Sequence, residues 1–407
     1  MSRLSGFHML WIATLQVTTQ ISIGEELEVT EYNATVNADQ TIHDIPLRQT
    51  GAVSVQDSMT VPADGFSSRP ITRRKRWRRS TPGRTVVLAL KWAAEAQERD
   101  GHWDARKHGA NEQNDVAVTS LALLGFLGAG HNEKIGMYKD TVRRAVHWLR
   151  SRQSPNGCIV DTNADDVPIH QHAIAGWALA EAAGMANIAD TKKAAQRAVD
   201  YSIKELQRAN GGFACKANES SSLIATVWFA LQLKSAKVAG LKVPSVNFEK
   251  IDNFLDRVER KGAGGDMAGV SIYVNIPEET EVDDAHRLTA IGCLTRQLLG
   301  APKDELEASV RWLVKEGGIP DAWNEETDLC HWYFKTLCAY QQGGYIWKYW
   351  NEPMKQTLIR AKRTGGKLDG SWDPVGRHGN EWGRVGQTAF VYVCLEVYFR
   401  FLGVYRQ

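Results

Sequence analysis

A seven-residue frame returns along this chain. It reads Gln97-Glu-Arg-Asp-Gly101-His-Trp103, then Gln153-Ser-Pro-Asn-Gly157-Cys-Ile159, then Gln207-Arg-Ala-Asn-Gly211-Gly-Phe213. A fourth copy, Gly366-Lys-Leu-Asp-Gly370-Ser-Trp372, lacks the Gln. Recurrence at a near-constant period marks a repeat architecture, and that limits the fold more than any single residue does. Each copy follows a helical pattern. The Gly permits a tight reversal after the helix end. The aromatic, or Ile159 in the second copy, can wedge against the neighbouring repeat, and the Gln amide can bond exposed helix-end groups. These are structural fastenings rather than catalytic devices.

From about residue 83 onward the apolar pattern predicts helix after helix, alternating between two kinds. Stretches such as Asp115–Leu127, His170–Ala183, Ser221–Ala236, Asp283–Leu299, Asp328–Gln341 and Gly386–Leu402 are apolar almost all round. Tyr138–Gln153, Thr191–Gln207 and their counterparts are amphipathic. A helix apolar on every side must be surrounded, and an amphipathic one covers it from outside. Six outer/inner pairs close naturally into a two-layer ring, an all-α (α/α)6 toroid over residues 83–407. The last stretch, Thr388-Ala-Phe-Val-Tyr-Val-Cys-Leu, is too apolar to be the polar end-cap of an open array.

Residues 1–82 are of different composition, rich in Thr, Ser, Val, Gln and Asp. They read as a disordered leader or linker. Arg3 and the short apolar run from His8 to Leu15 faintly resemble an export signal, but Gln16, Thr18, Thr19 and Gln20 follow at once. The basic run from Arg73 to Arg79 could contact an anionic membrane surface. The compartment stays open between cytoplasm and membrane surface. A net charge of +2 gives no footprint for nucleic acid. The six Cys form no CxxC pair and fall mostly in apolar helical patterns, as reduced core thiols do.

The repeat frame and the alternation resemble the squalene cyclase and prenyltransferase repeat superfamily, above all its bacterial squalene-cyclase-like proteins of unassigned function. Phrases such as Ala117-Val-Thr-Ser-Leu-Ala-Leu-Leu-Gly-Phe-Leu and His172-Ala-Ile-Ala-Gly-Trp-Ala-Leu-Ala-Glu181 carry the likeness. The resemblance implies a central cavity holding an apolar, isoprenoid-type ligand. The stretch Glu281-Val-Asp283-Asp284 resembles the Asp-x-Asp-Asp motif of class II terpene cyclases, with Glu in the first place. By that carry-over Asp283 is the proton donor and Asp284 and Glu281 its acidic neighbours. Such chemistry needs a carboxylic acid kept protonated by a dry site and nearby negative charge.

In a ring whose inner helices all run one way, their N-termini gather at one mouth. Asp115, His170, His172, Ser221, Ser222, Asp283, Asp284, Asp328, His331, Arg384 and Gln387 fall there, and His172 joins the acid–base candidates. Each has a plainer reading as a helix cap or a satisfied polar wall residue. Trp177, Trp228, Trp332 and Tyr333 lie on inner helices and supply candidate aromatic walls. Asp328, Cys330 and His331 are close in sequence, but one helical turn poorly encircles a metal, and no cofactor is expected. There is no phosphate-binding loop, nucleophile elbow or dinucleotide fingerprint. Two functions remain: a cavity protein that binds or cyclises an isoprenoid, or a non-catalytic scaffold or polymer-binding toroid that kept the fold and lost the chemistry.

Overall fold

The computed structural model describes residues 14–23, 26–35, 80–161, 170–214, 219–262, 264–274 and 282–397. The chain divides into two units, Met1–Val53 and Ser54–Gln407.

The first unit contains an antiparallel hairpin of β1 (Thr14–Ile23) and β2 (Glu26–Thr35), with Ile23 opposite Glu26. The sequence alternates Leu15, Val17, Thr19, Ile21 and Ile23 with polar residues, a period of two that suits a strand. The same polar residues that break an export signal make that alternation.

The second unit holds twelve long helices among its described residues. The outer ones are α1 (Thr81–Ala96), α3 (Lys139–Ser151), α5 (Ala189–Tyr201), α7 (Ser245–Val258), α9 (Lys303–Glu316) and α11 (Gly344–Ala361). The inner ones are α2 (Asp115–Gly128), α4 (His170–Ala186), α6 (Leu223–Val238), α8 (Val282–Leu299), α10 (Leu329–Gln342) and α12 (Gly379–Leu395). All residues of α2 are buried, whereas α3 buries only the stripe from Thr141 to Leu149 that faces inward. Each inner helix packs on the next, and α12 packs back on α2, so the ring is closed. The Tyr392 hydroxyl donates to the Ala122 carbonyl at 3.0 Å across that seam. Gly125 makes the approach possible: a Cβ there would lie 1.9 Å from the Tyr392 ring.

The repeat frame lies where an outer helix turns into an inner one, and it joins successive outer helices. Gln97 donates to the Gly101 carbonyl (2.8 Å) and to Thr141 of α3 (3.0 Å). Gln153 does the same to Gly157 and Ala194 of α5, and Gln207 to Gly211 and Asn247 of α7. The glycines stand at φ between +92° and +109°, and a Cβ would strike the neighbouring helix backbone: Gly101 at Arg144, Gly211 at Lys250, and Gly370 at Leu88 of α1. The Gln-less fourth copy therefore abuts the first outer helix and helps close the outer layer.

The residue ending each frame is buried and tied to the inner helix it precedes. The backbone N–H groups of Trp103, Phe213 and Trp372 donate to the hydroxyls of Thr119, Thr226 and Thr388 at 3.0–3.1 Å. Tyr273, in the strand β6 (Ser271–Tyr273) that pairs with β5 (Glu259–Lys261), does the same to Thr289 at 3.3 Å. A second short pair, β3 (Phe213–Ala214) with β4 (Ser221–Ser222), brackets the third turn. α5 passes into a π-helical turn (Ser202–Leu206) before Gln207, where the periodicity predicts continuous helix. α12 begins earlier than predicted and kinks at Gly383, whose backbone is non-helical (φ 58°, ψ −173°). A Cβ at Gly383 would lie 2.8 Å from the His108 carbonyl, so the kink is set by close passage beneath the first repeat. Residues 398–407, assigned to the last helix by periodicity up to Leu402, lie outside the described residues.

Candidate functional site

The centre of the ring is occupied by side chains. Trp228 of α6 meets Phe334 of α10 at 4.9 Å between ring centroids, Tyr333 of α10 at 6.2 Å and Phe390 of α12 at 6.3 Å. These helices are not neighbours in the ring, so the contacts cross its middle. Trp177 of α4 adds to the same stack at 6.3 Å from Trp228, and its indole N–H donates to buried Glu181. Trp177, Trp228 and Tyr333 thus converge onto one another. Bulky aromatics from four inner helices meet here in one aromatic plug. Trp332 is placed elsewhere, edge-on against Trp323.

Beside the plug, at the mouth where the inner helices begin, lies a cavity of about 90 Å³. Its apolar walls are Ile224, Ala225, Trp228, Ile291, Phe334 and Trp382; its polar groups are His170, Arg287, Cys330, His378 and Glu381. The Gly383 kink puts the His378–Trp382 turn over this mouth. The turn is held from both sides: the Asn111 N–H donates to the Asn380 carbonyl (2.7 Å), and the Arg377 N–H to the Thr327 carbonyl (3.1 Å).

Within the cavity His378 Nδ1 donates to Glu381 Oε2 at 2.9 Å. His170 Nε2 stands 3.8 Å from Glu381 Oε1, outside hydrogen-bond reach, and is buried without a hydrogen-bond partner. Burial works to raise the pKa of Glu381, but the bond from His378 and the charges of His170 and His378 outweigh it and hold the carboxyl below its ordinary value. Burial lowers the pKa of His170 against the pull of Glu381. The arrangement is an ionised carboxylate between two imidazoles. Cys330 is different. Burial first, then the charges of Asp328 and Glu381, push its thiol well above its usual range, so it is no thiolate.

The remaining sequence candidates separate into placed and unplaced. His172 Nδ1 accepts from the Ile159 N–H (3.1 Å), and its Nε2 faces the Ser202 hydroxyl (3.0 Å) and the Ala198 carbonyl (3.1 Å). It takes the place that Thr119, Thr226, Thr289 and Thr388 hold in the other repeats. Its larger ring accompanies the smaller Ile159 there. Burial drives its pKa down to about 4, and it does not reach the mouth cavity. Asp115 Oδ1 accepts from the Ala105 N–H (2.8 Å), fastening the first turn. Asp328 caps α10 by accepting from the His331 N–H (2.9 Å). His331 is kept neutral by burial and by the charges of Lys335, Arg287 and His286. Asp283 and Asp284 fall in the first turn of α8, but their side chains lie outside the described residues, as does all of Glu281. Among the described residues no group of three His, Cys, Asp or Glu is placed to hold a metal ion, and no helix is long and apolar enough to cross a membrane.

Sequence reasoning missed His170 as a partner of Glu381, and missed His378 and Glu381 altogether. The short phrase His378-Gly-Asn-Glu381-Trp382 precedes the apolar stretch of α12 and resembles a loop. It also missed Asp161, which accepts from the Val116 N–H (3.0 Å) and whose pKa is raised to about 6 by burial and then by the charge of Asp115.

No protein-family model matches the chain, and no curated protein sequence matches it significantly. Solved structures do. A family 76 α-1,6-mannanase from Salegentibacter sp., in complex with α-1,6-mannotriose, aligns over 78% of this chain and 98% of its own (TM-score 0.55, 10% identity). An alpha-amylase from Clostridium perfringens aligns over the same shares (0.54, 14%). A type II terpene cyclase from Scytonema, bound to geranylgeranyl dihydroxybenzoate, aligns over 81% and 99% (0.52, 14%). Identities this low speak to architecture alone. By its fold, the helical part of this chain is an (α/α)6 toroid of the kind that type II terpene cyclases and α-1,6-mannanases share.

Proposed function

We propose that this protein is a toroid whose working surface is the polar mouth and whose centre is a packed core. It takes a small polar ligand, or the end of a polar polymer, beside Glu381. The observation that carries this reading is the set of aromatic contacts across the ring, led by Trp228 with Phe334 at 4.9 Å. A polyprenyl chain needs a cleft of several hundred Å³, the ordinary size of a ligand pocket. The mouth cavity is about 90 Å³. Side chains that bury each other to this degree do not part without losing several kcal/mol of apolar contact.

The isoprenoid reading keeps two supports, the aromatic set itself and the Asp283-Asp284 pair opening α8. The terpene cyclase among the similar folds is bound to an isoprenoid substrate, and the mannanase to a sugar chain. One experiment separates the two readings. Purified protein is extracted with organic solvent for mass spectrometry, then incubated with squalene and with geranylgeranyl diphosphate. The expected result is no retained isoprenoid and no product, with Asp283→Asn indistinguishable from the parent. A retained isoprenoid, or turnover abolished by Asp283→Asn, overturns the packed-core reading.

A further inference from the structure

We infer that a groove between the outer helices α9 and α11 binds a phosphate monoester carried on a ring. The groove shares no residue with the mouth cavity, so it is a separate site.

Its volume is about 440 Å³, within the ordinary range of a small-molecule site. One wall is α9, which presents Glu307, Arg311 and Lys315. Successive members of this set are four positions apart, so they share one helix face. The other wall is the connection from α10 into α11, Gln342-Gly343-Gly344-Tyr345-Ile346. Gly344 leaves its main chain bare, since a Cβ there would meet nothing within 4 Å.

Charge selects the ligand. Arg311 and Lys315 both lie in solvent reach on that face. Like charges one turn apart on a helix repel each other. Glu307 pairs with Arg311 through Nη2, which leaves the other guanidinium donors to a ligand. Lys315 has no ion-pair or hydrogen-bond partner among the described residues. Lys303 brings a third positive charge to the same corner, where it donates to the Gln342 carbonyl at 3.2 Å. A phosphate monoester carries close to two negative charges and three acceptor oxygens. One such group can meet Arg311 and Lys315 together and relieve their repulsion. A cation finds only Glu307, already paired, and a neutral ligand leaves the repulsion in place.

The ring is selected by Tyr345. Its side chain is 62% exposed, and its ring centroid lies 5.9 Å from that of Tyr349, itself 39% exposed. Inorganic phosphate would leave this flat surface in water. A ring laid against Tyr345 covers it and adds apolar contact to the charge contact.

The test is fluorine NMR of the full chain labelled with fluorotyrosine, at low salt. The Tyr345 resonance is assigned by Tyr345→Phe and followed on adding phenyl phosphate, adenosine monophosphate, inorganic phosphate, benzoate or benzyl alcohol. The expected result is a saturable shift with at least one of the two ring phosphates. Benzoate and inorganic phosphate should bind more weakly than that ligand, and benzyl alcohol should give no shift. Arg311→Gln and Lys315→Gln should each weaken the apparent Kd about threefold to fivefold, the scale of one exposed charge contact. Glu307→Gln should tighten it, a direction that general damage to the fold would not produce. The three side chains are half-exposed or more, and each variant is first checked for an unchanged melting transition. No shift with either ring phosphate overturns the proposal. So does benzoate, inorganic phosphate or benzyl alcohol binding as tightly, or a phosphate shift unaltered in both Arg311→Gln and Lys315→Gln.

Discussion

The centre of the ring and its mouth are built from the same six inner helices, yet they obey different rules. At the centre, aromatic side chains from helices that are not neighbours in the ring meet one another. A few residues nearer the helix starts, His170 Nε2 is buried without a hydrogen bond beside a small space lined by polar groups. The cause is geometric. At the far end an inner helix returns to an outer one almost at once, as between Gln342 and Gly344. At the mouth the connections are long, and they carry the repeat frames, short strand pairs and the kinked turn of α12. Long connections are where a fold can hold strained backbone and unpaired polar atoms.

Substitutions can break or sharpen this contrast. Gly125→Val should be the most damaging, because its side chain would occupy the space of the Tyr392 ring. A loss beyond about 4 kcal/mol is expected, with part recovered in a double variant with Tyr392→Ala. Thermal or urea unfolding reads this, and a mild effect would mean the seam is loose. Next, Phe390→Ala should cost about 3–5 kcal/mol if the centre is a core. A cost near zero would reveal an open cavity.

Lys335 is an intermediate case. It is wholly buried, donates to the Gly317 and Gly318 carbonyls at 2.9 and 2.8 Å, and lies over the Trp350 ring. Burial lowers its pKa to about 7. In the unfolded chain it titrates near about 10.4, so the unfolded state binds the extra proton between those values. Its contribution to stability is complete above about pH 10 and is lost as pH falls toward 7. Lys335→Met should flatten stability against pH over that window, as read by urea unfolding. An unchanged slope would refute the shift. Gln207→Ala should cost about 1–2 kcal/mol, through two lost bonds to main-chain carbonyls. Glu381→Gln at the mouth should change stability by about 0.5 kcal/mol at most. A large loss there would make the mouth a structural joint and erase the contrast.

The alternation of wholly apolar with one-sided helices is a property of local sequence, so most helix positions were legible within a few residues. The repeat frame was legible too, because Gln, Gly and an aromatic each have a separate structural use. The fourth aromatic, Tyr273, escaped because it reaches the same place from a strand pair and no Gln precedes it. The place of the aromatics on inner helices was legible, but not their contacts with one another. Only the sizes of residues on opposite helices decide whether a ring closes on itself or leaves a hole, and opposite helices are far apart in sequence. The mouth was the least legible part. His170, His378 and Glu381 come together through the Gly383 kink, and a glycine before an apolar run resembles a helix start rather than a bend.

The bond from Tyr392 to Ala122 joins residues 270 apart in sequence. During synthesis, α2 must therefore wait for nearly the whole remaining chain before its final neighbour exists. Until then, one flank of an almost entirely apolar helix has nothing to lie against, and partners so distant in sequence are slow to find each other. A nascent chain halted before α12 would expose greasy surface at both ends of an unfinished arc. Chaperones and proteases should recognise that arc, and ribosome-bound truncations ending before and after Leu395 would differ sharply in protease resistance.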